Sequence, residues 1–270
     1  MIAALPILLA LIAFGLYFYI SRWRKRVLRD KPFPAAWLNV LTSGLPIYES
    51  LPQEEQARLQ YLMKVFIDQK KFYGCAGLTI TEEMKVMIAA EACLLLINKG
   101  GAVYPKLTAI LVYPSAFRVE RDEHQADGTV TSSEHSVLGE SWGNGRVILS
   151  WDDVEKGVAD FTDGHNVVLH EFAHQLDAES GSTNGAPLLR RNSYKSWAAV
   201  FSKHFEDLTR RSIEGHTPVM DEYGTTNPAE FFAVATETFF EKPEPLYKNQ
   251  PELYEELKTY YQVDPRSWHK

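Results

Sequence analysis

The sequence predicts a predominantly helical α+β domain behind an N-terminal transmembrane helix, and three observations carry that reading. Long stretches place apolar residues at helical spacing, only two short runs are rich in β-branched residues, and the chain opens on an uninterrupted apolar segment. At 270 residues the chain can bury a sizeable core and fits one main domain with accessories.

Ile2 to Ile20 is apolar and uncharged, about 28 Å long as a helix and just sufficient to cross a bilayer. Arg22, Arg24, Lys25, Arg26, Arg29 and Lys31 follow it and no charged side chain precedes it. A signal peptide would carry its positive charge first. The expected organisation is a single-pass anchor over 1–21, a basic linker over 22–35 and the main domain over 36–270. Basic residues are retained on the inner side, so that domain is expected to face the cytoplasm from the inner membrane.

Leu51 to Phe72 reads as a helix opened by Pro52, with Leu59, Leu62, Met63 and Phe66 on one face. Thr81 to Asn98 reads as a second helix, with Thr81 as N-cap and Glu82 and Glu83 in the first turn. Leu107 to Tyr113 and Val147 to Trp151 are short strands, and 119–146 is a polar loop or hairpin between them. The end of the chain, with Tyr254, Tyr260 and Tyr261, suits an amphipathic helix that covers the core.

The stretch VVLHEFAHQLD carries the chemistry. On a helix, His170 and His174 lie one turn apart on one face and can offer two imidazole nitrogens to one metal ion. Glu171 is placed to take a proton from a water that the metal activates. The flanks Val167, Val168, Leu169, Phe172, Ala173 and Leu176 make this a buried helix, where polar side chains need a partner. Zinc suits imidazole and carboxylate donors.

A catalytic zinc takes three protein ligands. Asp177 and Ser180 stand where the metzincin continuation needs Gly and His, which excludes that class. The favoured third ligand is Glu230 in YGTTNPAEFFAVATETFF, where Asn227 and Pro228 open another apolar helix. Two alternatives stand beside it. Glu230 could close a capping box with Asn227, and Asp221 could supply the carboxylate instead. Glu237, two turns beyond Glu230, could orient a ligand histidine. His165 reads as a polar residue near the helix start, and His204 and His216 as surface residues.

HEFAHQLD, YGTTNPAEFFAV and ETFF, with GESWGNGRVILSWDD upstream, resemble the Mlc titration factor A family of bacterial zinc-dependent peptidases. The likeness runs from about Leu51 to about Pro265. It implies a zincin-like metallopeptidase whose metal site is like that of the anthrax lethal factor protease domain. His170, His174 and Glu230 would bind one zinc per chain and Glu171 would be the general base. Tyr223 would steady the oxyanion. A peptide or protein is the implied substrate, and a sugar-responsive transcriptional repressor is the implied partner of an alternative, sequestering role.

Composition bounds the rest. A net charge of −7 without a basic module argues against nucleic-acid binding. Cys75 and Cys93 form neither a disulfide framework nor a metal-binding pair, which weakly favours a reducing compartment.

Overall fold

A computed structural model describes residues 4–115, 118–124, 130–136 and 145–268. The architecture is predominantly helical α+β. In chain order the first elements are α1 (Ala4–Asp30), α2 (Ala35–Gly44), α3 (Gln53–Gln69), β1 (Lys71–Gly74), α4 (Glu82–Leu94) and β2 (Ala109–Tyr113). After these come β3 (Arg118–His124), β4 (Val130–Ser136), β5 (Arg146–Ser150), α5 (Trp151–Ala159) and α6 (Val167–Ala178). The chain ends with α7 (Tyr194–Ile213), α8 (Pro228–Glu241), α9 (Pro243–Asn249) and α10 (Pro251–Tyr261).

The strands β1, β2 and β5 form a parallel sheet in that order, with Lys71 opposite Ala109 and Ala109 opposite Arg146. Parallel neighbours need long crossovers. Helix α4 supplies the first, and the second contains the antiparallel hairpin β3–β4 in the region expected to be loop or hairpin. Residues 125–129, and residues 139–144 of the GESWGN stretch, lie outside the described residues. Ile110, Val112, Val147 and Leu149 are fully buried on one face of the sheet. Trp151 starts α5 rather than ending the strand, because Ser150 caps that helix and accepts from Asp153 N.

The helices that matter for chemistry are α6 and α8, both almost wholly buried. Phe172 fixes α6 from one side, packed on Phe66 and Tyr104 at ring separations of 5.6 and 4.8 Å. Phe231 and Phe232 fix α8 against Phe201 and Trp197 of α7. With their aromatic sides so engaged, the two helices present their polar residues to each other. On α10, Leu253, Tyr254, Leu257, Tyr260 and Tyr261 are all buried against this core.

The N-terminal segment corrects an expectation. Among the described residues no helix is long and apolar enough to cross a membrane. The apolar run and the basic run are instead one continuous helix, α1, and its C-terminal half is held on the domain. Arg24 Nη2 lies 2.8 Å from Asp68 Oδ1, Arg29 sits over the Tyr61 ring, and Leu28 packs on the core. Two of the basic side chains that suggested a membrane flank, Arg24 and Arg29, therefore have partners on α3. This overturns the transmembrane anchor, and with it the inner-membrane, cytoplasm-facing placement. His204 differs as well: it is buried on the inner face of α7, whereas His216 is exposed.

Candidate metal centre

Helix α6 is capped by Asn166, whose side chain accepts from Leu169 N at 3.0 Å, so that His170 and His174 fall on the face toward α8. Helix α8 is capped by Asn227, whose Oδ1 accepts from Ala229 N and Glu230 N at 2.9 and 3.0 Å. The Glu230 carboxylate does not close a capping box. It turns inward, where Oε2 lies 3.0 Å from His170 Nε2 and 3.4 Å from His174 Nε2. The two Nε2 atoms are 3.2 Å apart.

This triangle fits one ion. Donors about 2.0–2.1 Å from a tetrahedral centre lie about 3.3 Å from one another, and two imidazole nitrogens with a carboxylate oxygen are a donor set that suits zinc. Two ring nitrogens and a carboxylate oxygen facing one point form a group that could hold a metal. His170 Nδ1 makes a 2.7 Å contact with Glu237 Oε1. That contact fixes the ring's orientation and keeps Nε2 directed at the same point.

Electrostatics follow from burial and from these contacts. Burial opposes charge on His170, but Glu237, Glu230 and Glu171 outweigh it and hold its pKa well above the ordinary 6.5. Burial, reinforced by His170, drives His174 down to about 4. Burial would raise Glu230, yet the bonds from both histidines bring it down to about 2. Glu230 is thus ionised and His174 neutral, the forms that bind a metal, while His170 would release a proton on binding one.

Glu171 is buried and lines a cleft of about 450 Å³ together with His165, His170, Asp221, Tyr223 and Glu230. Tyr223 stands at its rim, 53% exposed, with its ring 6.0 Å from that of His170. Burial, then Glu230 and Glu171, raise its pKa. Asp221, the rival carboxylate, is engaged elsewhere: its Oδ1 accepts from Tyr223 N at 2.7 Å and its Oδ2 lies 3.7 Å from His165 Nε2. It shapes the turn that presents Tyr223.

The sequence reading missed a polar hub behind His170. Asn166 Nδ2 donates to Glu91 Oε1 at 2.7 Å and to Glu241 Oε1 at 3.0 Å, and Asn166 N donates to Glu237 Oε2 at 2.6 Å. The signal was a lone Glu91 in the apolar run MIAAEACLLL, because a charge at such a position needs a partner from another element. Burial pushes Glu91 up to about 8, against the bond from Asn166. Burial likewise pushes Glu241 up to about 9, with Asn166 opposing and Glu237, Glu91 and Asp163 assisting.

A carboxyl whose folded pKa lies above its unfolded value stabilises the fold fully below the unfolded value, and that contribution is lost as pH climbs through the folded value. Glu91→Gln removes this dependence. Its stability relative to the parent chain should therefore rise from about pH 5 to about pH 8, by up to ~1.4 kcal/mol per pH unit. Denaturant titrations at both ends of that window measure it, and a constant difference would refute a proton on Glu91.

Comparison with known sequences now adds to the geometry. The sequence model of the glucose-regulated metallo-peptidase M90 family matches residues 20–262. The chain belongs to that family. Among its relatives, an uncharacterized protein of Synechocystis sp. is 42% identical over 267 residues, covering 97% of this chain and 96% of its own. Mlc titration factor A of Serratia proteamaculans is 33% identical over 235 residues, 86% of this chain and 88% of its own. Mlc titration factor A of Yersinia pestis is 31% identical over 236 residues, 86% and 85% respectively. The resemblance to the Mlc titration factor A proteins thus extends over most of the chain. Membership of a metallo-peptidase family implies a metal ion, and the M90 match spans all three converging donors.

Proposed function

We propose that this M90 chain is a zinc-dependent peptidase that binds one zinc through His170, His174 and Glu230, with Glu171 as general base and Tyr223 as oxyanion donor. The observation that supports it best is the convergence of three donor atoms on one point at the floor of a cleft that Glu171 also lines. Zinc bound there would supply Lewis acidity, lowering the pKa of a water and polarising a peptide carbonyl.

The chain's own residues do the rest. Glu171 accepts the proton of the attacking water and returns it to the leaving amine. Its burial keeps bulk water from competing for that proton. Tyr223, at the rim, donates its O–H to the oxygen on which charge develops. Glu237 holds the His170 ring in the orientation that points Nε2 inward.

The direct test is metal content and cleavage together. Purified protein should carry one zinc per chain and cleave unstructured peptides, lose cleavage to a chelator and regain it with added zinc. Protein that cleaves equally well after its metal is stripped would refute the proposal. Tyr223→Phe should lower kcat by about 10²-fold with a smaller change in KM. A kcat equal to that of the parent chain would remove Tyr223 from the mechanism.

A second reading is that the chain sequesters a regulatory partner. The name of its relatives, Mlc titration factor A, favours it, and a transcriptional repressor is the partner that the resemblance implies. The buried Glu171 beside the donors favours peptide hydrolysis, since sequestration has no use for a base at that position.

A further inference from the structure

We propose that Asp177 and Gly185 form a brace that sets the spacing between the two donor-bearing helices, which makes Asp177 a positioning residue for Glu230. The inference rests on reading His170, His174 and Glu230 as metal ligands. Asp177 lies three residues beyond His174 on α6 and is fully buried. Its Oδ2 accepts from Gly185 N at 2.6 Å. Gly185 has a φ of +78°, in the left-handed region that glycine enters without strain. A Cβ there would stand 2.2 Å from the Pro228 carbonyl oxygen and 2.8 Å from its carbonyl carbon.

Pro228 is the first residue of α8, and the Asn227 cap beside it holds Glu230 N. The contact is backbone against backbone, so no side-chain rotation can absorb a shift. The far side of the loop is fixed too: Gly185 O accepts from Trp197 Nε1 at 2.9 Å, and the Trp197 ring packs 5.7 Å from Phe232 of α8. A closed circuit therefore runs from His174 through Asp177, Gly185 and Pro228 to Glu230. A displacement of the loop moves the first turn of α8 and carries the Glu230 carboxylate off the point that the histidines face.

The test compares zinc affinity, by competition with a chromophoric chelator, in the full chain and five variants. Gly185→Ala pushes on Pro228. Asp177→Asn weakens the bond to Gly185 while nearly keeping the shape, and serves if Gly185→Ala does not fold. Gly181→Ala is the control: its φ of +111° strains the same loop, but its Cβ would meet open space. Gly185→Ala and Asp177→Asn should each lose about tenfold or more in affinity, the scale for residues that orient ligands. Gly181→Ala should stay within about threefold of the parent. In a Glu230→Gln background, Gly185→Ala should cost little further affinity, because the carboxylate that it displaces is already gone.

Parent-like affinity in both Gly185→Ala and Asp177→Asn would overturn the brace. An equal loss in Gly181→Ala, or the same loss in the Glu230→Gln background, would also overturn it by showing general damage instead. A parent chain that binds no zinc would overturn the ligand reading itself, and the brace with it.

Discussion

Glu171→Gln should fold, retain one zinc per chain and lose peptide cleavage. The amide has nearly the size of the carboxylate and fits the same buried position, so α6 should pack unchanged. It cannot accept a proton, however, and a positioned base contributes about 10²–10⁴-fold. The loss should lie at the upper end of that range, because Glu171 is buried and no solvent base can take its place. It should fall on kcat, since peptide binding along the cleft does not require the proton transfer. Steady-state kinetics on a zinc-saturated variant measures it, and cleavage at the parent rate would end the assignment of Glu171 as the base.

Loss of a donor should have the opposite signature. His170→Ala, His174→Ala and Glu230→Ala each leave two donors where a catalytic zinc needs three, so bound zinc should fall well below one per chain. Asp221→Ala should retain full zinc, because that carboxylate accepts from Tyr223 N and lies beside His165, outside the three converging donors. Metal analysis after exhaustive dialysis decides between them. Full zinc in Glu230→Ala with loss in Asp221→Ala would reverse the assignment. The three substitutions need not cost equally. Glu230→Ala also removes the negative charge that offsets His170, and His170→Ala leaves Glu237 without its imidazole contact.

Much of this centre was legible along the chain because its parts are local. The i, i+4 spacing of His170 and His174 and their apolar flanks are properties of one helix, and so are Asn227, Pro228 and Glu230 on the next. The choice between cap and inward-facing carboxylate for Glu230 was not legible, since it depends on how α8 lies against α6. Nor was the docking of α1. Arg24 meets Asp68 across 44 residues of sequence, and no window of hydrophobicity or charge contains both partners. The same holds for Asn166, which joins Glu91 to Glu241 across two separations of 75 residues. His204 was misread because its burial is set by packing between α7 and its neighbours, which no spacing rule encodes.

The hub around Asn166 also bears on how acidic the molecule is in solution. Its formal charge of −7 and sequence pI of about 5.7 count every glutamate as ionised at neutral pH. With Glu91 and Glu241 pushed up to about 8 and about 9, two of those negative charges are absent from the native protein at neutral pH and return on unfolding. Native isoelectric focusing would accordingly place the folded chain at a higher pH than focusing in urea.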